Sequence, residues 1–105
     1  MHMPNNRLQQ LTELLKDTPD DAFLLYAIAL EHQSAGDHDQ AIAQYEYLLS
    51  IHPDYLPVFY QLGGLYALKG DTMHAEKVYN RGIALASEQN NPRTLSELRS
   101  ALDLM

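Results

Sequence analysis

Cysteine is absent from the 105-residue sequence, which excludes disulfides, cysteine nucleophiles and thiolate metal sites. The absence also fits a reducing compartment, and we expect a cytoplasmic location. Long apolar runs are lacking too. The longest run, Ala22 to Leu30, has nine residues, whereas a membrane-spanning helix needs about 20. The N-terminus shows no basic segment followed by an apolar stretch, so neither a secretory signal nor a membrane anchor is predicted.

Basic residues are scarce. Seven Lys and Arg face fourteen Asp and Glu, which gives a formal net charge of −7. Because phosphate binding needs clustered Lys and Arg, we expect no nucleic-acid partner. Hydrophobic residues make up 46% of the chain and charged residues 20%, close to the averages of globular proteins. Length and composition predict one domain over residues 1–105, whose first three residues are interpreted as including a cloning remnant.

Patterns that carry chemistry are also missing from the sequence. The serines are scattered, and none lies in a nucleophile-elbow motif. His38 lies between two aspartates, but a helix-capping role of Asp37 explains this motif, and no spaced histidine pair completes a metal site. Gly63-Gly64 lies within a helical pattern with no preceding strand, so it is not a phosphate loop. We therefore predict a protein without catalytic activity, metal or cofactor.

What the sequence does contain is an internal repeat of 34 residues. Gly36-Asp37 recurs as Gly70-Asp71, and further matches fall on the same offset. These are Asp20 with Asp54, Tyr26 with Tyr60, Ala41 with Ala75, and Tyr45 with Tyr79. Within each unit the glycine ends one helix and the aspartate begins the next, so a unit reads as a helix pair.

Capping residues set the expected helix starts. Thr18, followed by Pro19, is predicted to begin the first paired helix, Asp54 the third, and Asn91 a final helix. An additional amphipathic helix precedes the repeats, with Leu8, Leu11, Leu14 and Leu15 on one face. The sequence therefore predicts six helices, and no stretch alternates with the period of two that strands require.

The second unit reads Phe59-x2-Leu62-Gly63-x2-Tyr66 and then Ala75-x3-Tyr79. This pattern resembles the tetratricopeptide repeat. The first unit departs from it at Leu25, Ala29 and His32, and Ser87 replaces the closing proline of the second unit. The resemblance implies an all-α fold, a right-handed α–α superhelix of about six helices. Its expected segments are an N-terminal half-repeat (5–19), two repeats (20–53 and 54–87) and a capping helix (88–105).

In the tetratricopeptide family the first helix of each repeat lines a concave groove. Carried over position by position, the groove residues would be Phe23, Tyr26, Leu30, Gln33, Pro57, Tyr60, Gly64 and Ala67. Several family members bind chaperone C-terminal tails through Lys, Arg and Asn at such positions. None of those residue types is present here, so we expect no carboxylate clamp. Gly64, which has no evident packing role, is interpreted as allowing close approach of a ligand backbone.

The groove predicts a protein-interaction scaffold that binds a peptide or helix of another protein. Tyr26 and Tyr60 are the expected contact anchors, and the alternative for both is internal packing. The alternative function is structural self-association, as a homodimer, through the same face or a terminal helix. Two repeats form a small solenoid that a second copy would stabilise by added burial.

Overall fold

The computed structural model describes residues 6–105, so the interpreted cloning remnant and the first residue of the predicted segment 5–19 lie outside the described residues. These residues form six α-helices and no strand, which confirms the predicted all-α class. The helices are α1 (Asn6–Asp17), α2 (Ala22–Ser34), α3 (His38–Ile51), α4 (Pro57–Leu68), α5 (Thr72–Glu88) and α6 (Pro92–Asp103). They divide into two compact units, the first ending at Pro53 and the second beginning at Asp54.

In the first unit α2 packs against both α3 and α1. Leu25 and Ala29 of α2 and Ala41 and Tyr45 of α3 are almost completely buried. Ala29 and Ala41 are fully buried, and such small side chains let two helix backbones approach closely.

The N-terminal helix α1 attaches to α2 through a small apolar cluster. Leu11 is buried with Ala27 and Ile28 of α2, and Leu8 and Leu15 pack against this cluster. Leu14, predicted on the same apolar face, is 55% exposed. That part of the prediction is wrong, because the contact with α2 is made by Leu11, which is buried, and by Leu8 and Leu15, which are partly buried.

Two glycines end the first helix of each repeat, α2 and α4, as predicted. Gly36 and Gly70 have φ values of 83° and 81°, a left-handed conformation that glycine adopts without strain. At each site the glycine N–H and the following aspartate N–H donate back to the last helical turn. This double hydrogen bond is the Schellman motif, which satisfies carbonyls left free at a helix end.

Two of the predicted helix starts are wrong. α2 begins at Ala22 rather than Pro19, because the Asp21 side chain accepts a hydrogen bond from the Leu24 N–H and supplies the cap. α4 begins at Pro57, and Leu56 rather than Asp54 precedes it. The Asp54 carbonyl instead accepts a hydrogen bond from Gln89.

In the second unit α4, α5 and α6 pack on one another. α5 continues to Glu88, past Ser87, the residue that replaces the closing proline of the repeat pattern. α6 begins after Asn91, whose side chain accepts from the Thr94 N–H and confirms the predicted cap. α6 covers the unit with Leu98, which is fully buried.

Candidate functional site

The predicted groove residues come from two helices in different units, and each unit presents its own set. On α2 the side chain of Phe23 is 64% exposed, whereas Tyr26, Leu30 and Gln33 are partly buried. On α4 Pro57, Tyr60 and Ala67 are exposed and Gly64 is partly buried. The two tyrosines that share one repeat register therefore differ in exposure.

Tyr26 and Gln33 contact the buried residue Tyr45 of α3. The rings of Tyr26 and Tyr45 lie 5.9 Å apart at 49°, a tilted arrangement that aromatic pairs favour. The Tyr45 hydroxyl donates a hydrogen bond of 2.7 Å to Gln33 Oε1. Burial, followed by the neighbouring Tyr26, raises the pKa of Tyr45 well above its ordinary value, so Tyr45 stays a neutral donor. These contacts support the internal-packing interpretation of Tyr26.

The second unit contains an open cleft between α4 and α6, named here the α4–α6 cleft. It encloses about 670 Å³, within the range typical of ligand sites. Three of the four groove residues predicted on α4 line it, and only Pro57 does not. The lining residues are Tyr60, Gly64, Ala67, Tyr79, Ser96, Glu97, Ser100, Ala101, Leu104 and Met105.

Helix periodicity explains which residues face the cleft. Tyr60, Gly64 and Ala67 lie at positions i, i+4 and i+7, on one face of α4. On the opposite wall Ser96 and Ser100 lie four residues apart on α6. α6 therefore forms one wall of the cleft and does not fill it.

Comparison of the two repeats explains why the cleft exists. At the 34-residue offset, Leu30 and Gln33 of the first repeat correspond to Gly64 and Ala67 of the second. In the first repeat Gln33 supplies an acceptor to the buried Tyr45 hydroxyl. Ala67 has no side-chain acceptor for the equivalent hydroxyl, that of Tyr79. The smaller side chains thus open space beside the second tyrosine pair.

Tyr79 of α5 contributes its ring to the packing and its hydroxyl to the cleft. A Cβ atom on Gly63 would lie 2.7 Å from Tyr79 Cδ1 and 2.8 Å from Cζ, so the ring packs directly on the glycine. A Cβ atom on Gly64 would lie 3.7 Å from the Tyr79 hydroxyl, an ordinary contact. Burial, followed by the nearby Tyr60, raises the pKa of Tyr79, and the hydroxyl stays protonated at neutral pH.

Glu97 is the one charged side chain that lines the cleft. Within residues 6–105 no hydrogen bond or ion pair engages its carboxylate. The other polar side chains of the lining carry hydroxyl groups. The cleft therefore combines aromatic and aliphatic surface with one carboxylate.

Sequence reasoning placed three of the cleft residues and missed the rest. It assigned α6 a covering role and gave no function to Ser96, Glu97 or Ser100. The signal that identifies them is the periodicity of α6: its leucines at 95, 98 and 102 mark the packed face, and these three residues lie on the exposed remainder of the helix surface. For Tyr79 the sequence indicates only its repeat match with Tyr45.

Two other kinds of site are absent from the part of the chain that the structure describes. No helix there is long and apolar enough to cross a membrane. No group of three or more His, Asp or Glu side chains there is arranged to hold a metal ion.

A known protein family matches this chain. The sequence model described as tetratricopeptide repeat matches residues 32–102, more than half of the chain. Members of such a family are generally non-catalytic interaction domains. No curated protein sequence matches the chain.

Solved structures extend the comparison. A tetratricopeptide repeat domain protein from Salinibacter ruber is 38% identical, with a TM-score of 0.75, over 80% of this chain and 85% of that one. PcrH in complex with the chaperone binding region of PopD is 19% identical, with a TM-score of 0.87, over 95% of this chain and 76% of that one. PcrH from Pseudomonas aeruginosa is 18% identical, with a TM-score of 0.75, over 99% of this chain and 95% of that one.

Proposed function

The chain belongs to the tetratricopeptide repeat family, and we propose that it is a scaffold whose α4–α6 cleft binds a peptide segment or helix of another protein. Family membership supports a general role in protein–protein interaction. The observation that carries the finer proposal is the cleft itself, where an exposed tyrosine stands beside a glycine and an alanine. The proposed binding needs no catalytic group, metal or cofactor.

Tyr60 is the anchor of the proposed interaction. Its side chain is 48% exposed at the cleft, so its ring is accessible to a ligand. Tyrosine is enriched among the residues that dominate binding energy, because its rigid ring loses little entropy and its hydroxyl forms hydrogen bonds. Gly64 and Ala67 leave room for a ligand backbone next to this ring.

The comparison with PcrH supports this mode of binding. That protein has a similar fold and was solved with a bound segment of another protein, the chaperone binding region of PopD. At 19% identity the likeness concerns the fold alone. We extend from it only the idea that a helical array of this kind holds a polypeptide segment.

For the first unit we propose a smaller contribution to the binding of a partner. Phe23 is exposed and Leu30 partly buried on the same helix, so they offer apolar contact to a partner. Tyr26 and Gln33 act through their contacts with Tyr45. Pro57 lies outside the cleft lining, and its role is to begin α4.

A peptide selection tests the proposal. A library of random peptides displayed on phage is selected against the immobilised protein, and enriched peptides are then measured by fluorescence anisotropy. Tyr60→Ala should weaken binding at least tenfold, as expected for an interface anchor. Tyr47→Ala is the matched control, because Tyr47 is 50% exposed on α3, outside the cleft. Equal affinities of the two variants would refute the proposal.

Filling the cleft provides a second test that does not rely on removing a side chain. Ala67→Gln places in the second repeat the glutamine that the first repeat has at position 33. We expect it to accept a hydrogen bond from Tyr79 and to stabilise the fold by about 1 kcal/mol, while peptide binding is lost. A variant that is more stable and still binds would contradict a role of the cleft.

Self-association is the alternative function, and one observation favours it. Leu104 and Met105, which line the cleft, are 88% and 44% exposed, and a second copy would also cover them. Light scattering over a concentration series distinguishes the two functions. A constant monomer mass supports binding of another protein, whereas a dimer that dissociates with Tyr60→Ala supports self-association. The cytoplasmic location stays a prediction.

A further inference from the structure

The α4–α6 cleft carries charge of one sign only. Its lining includes the Glu97 carboxylate and no Lys, Arg or His. The remaining polar side chains are the hydroxyls of Tyr60, Tyr79, Ser96 and Ser100, which also accept hydrogen bonds. Because hydroxyls also donate, the negative charge of Glu97 is the feature of this lining that favours one kind of ligand group.

The apolar part of the lining restricts further which ligand groups fit the α4–α6 cleft. The lining that contains Glu97 also includes rings and aliphatic side chains, so a small hydrated cation would leave most of this surface uncovered. Lysine and arginine combine an aliphatic stem with a charged head, and the stem covers apolar surface while the head reaches a polar partner. An aromatic ring face adds attraction for such a head. The same unit contains one example, in which the Arg81 guanidinium lies 5.3 Å from the centre of the Phe59 ring.

We propose that the segment bound in the α4–α6 cleft presents a lysine or arginine beside an apolar side chain, and that this basic head pairs with Glu97. The inference rests on the proposed function, since it names the partner chemistry of the same cleft. The apolar neighbour packs on Ala67 and Leu104, and the stem of the basic residue lies along Tyr60.

The charge of the whole chain is a separate source of attraction for basic peptides. The net charge is −7, and it would favour cationic partners at any surface. Residues 54–105, however, hold six acidic and five basic side chains, so the unit that contains the cleft is nearly neutral. The experiment must therefore separate the local carboxylate from the global charge.

The test repeats the phage selection on two variants that change the net charge equally. Glu97→Lys reverses the charge in the cleft. Glu76→Lys makes the same change on the exposed surface of α5, outside the cleft. We expect peptides selected on the native protein and on Glu76→Lys to be enriched in Lys and Arg. Those selected on Glu97→Lys should lose that enrichment and gain Asp and Glu.

Affinities give a quantitative check on the same peptides. Glu97→Gln should weaken binding of a lysine-containing peptide roughly two- to fivefold, the range of partly exposed ion pairs. The same peptide with glutamine in place of lysine should bind both proteins equally. The native interaction should also weaken between about 50 and 300 mM salt, and this salt dependence should be reduced in Glu97→Gln.

The outcomes separate this inference from the function on which it rests. Peptides that depend on Tyr60 but show no Lys or Arg enrichment would overturn the inference and leave the proposed function standing. Equal loss of basic peptides in Glu97→Lys and Glu76→Lys would also overturn it, because the attraction would then be global. Binding that is insensitive to Tyr60→Ala would overturn both.

Discussion

Gly82 occupies the point where the three helices of the second unit meet. A Cβ atom on this residue would lie 2.6 Å from Phe59 Cβ and 2.9 Å from Leu98 Cδ1. Real Cβ atoms do not approach neighbours so closely. Gly82→Ala therefore requires α4 or α6 to move away from α5. This movement is unfavourable because Phe59 and Leu98 are almost completely buried and tightly packed.

The magnitude follows from two opposing effects. Overpacking a core costs about 1–3 kcal/mol, whereas replacing glycine by alanine inside a helix gains about 1 kcal/mol. Gly64→Ala is the matched control, since its Cβ atom would make an ordinary contact at 3.7 Å and only the gain applies. The stabilisation from replacing glycine by alanine in a helix is the same in both variants, so it does not contribute to the difference between them. Gly82→Ala should thus be less stable than Gly64→Ala by about 1–3 kcal/mol.

Urea unfolding followed by circular dichroism measures this difference directly. For a domain of this size each 1 kcal/mol corresponds to roughly 4–8 °C in Tm, so thermal unfolding should separate the variants by at least ~4 °C. Gly63→Ala places a methyl group against the Tyr79 ring, so its Tm should be lowered in the same way as that of Gly82→Ala. Equal stability of Gly82→Ala and Gly64→Ala would refute the close packing of the three helices.

Three further predictions concern other parts of the fold. Tyr45→Phe removes the hydroxyl that donates to Gln33 and should cost about 1 kcal/mol in urea unfolding; unchanged stability would show that this bond contributes nothing. Leu98→Ala leaves a cavity at a fully buried site and should lower the free energy of unfolding by about 2–5 kcal/mol. Leu104→Ala changes a side chain that is 88% exposed. It should change the free energy of unfolding by no more than about 0.5 kcal/mol. The hydrogen bond from the His74 N–H lowers the pKa of Asp71 below its usual 3.8. The ionised Asp71 carboxylate therefore stabilises the folded state above pH 3.8, and this stabilisation is lost as the pH falls through the lowered pKa. Thermal unfolding in mild and strong acid should show a smaller acid-induced loss for Asp71→Asn, and an identical loss would contradict the assignment.

Much of the fold follows from local rules that the sequence displays. Gly36 and Gly70 end their helices in the left-handed conformation, and no side-chain contact is needed to predict this. Asn90 ends α5 in the same way, with φ of 54° and hydrogen bonds like those at the glycines. It was not predicted, because asparagine adopts this conformation less regularly than glycine and no repeat partner marks it.

The wrong helix starts have a similar cause. Thr18 and Asp21 are both good capping residues, and which one caps depends on where the chain leaves α1. Asp54 occupies a promising position, yet the proline at 57 fixes the start of α4 three residues later. Residue propensities indicate which residues could begin a helix, and the tertiary structure determines which of them does.

The candidate site was predictable only on one of its walls. The repeat register identifies Tyr60, Gly64 and Ala67, because they share positions with the groove residues of the family. It does not show that Tyr26 packs on Tyr45 while Tyr60 stays exposed, since that difference depends on the residues around each tyrosine. The contribution of α6 depends on how that helix packs against α5, which no motif encodes.

The measurement that tests the central claim most directly is an NMR titration of the isotopically labelled protein with a peptide selected for Tyr60-dependent binding. Backbone amide shifts map the contact surface residue by residue. We predict the largest shifts at Gly64, Ala67, Ser96, Ser100 and Ala101, on the two walls of the α4–α6 cleft. Shifts confined to α1 and α3, with those cleft amides unmoved, would contradict the claim that this cleft is the binding site.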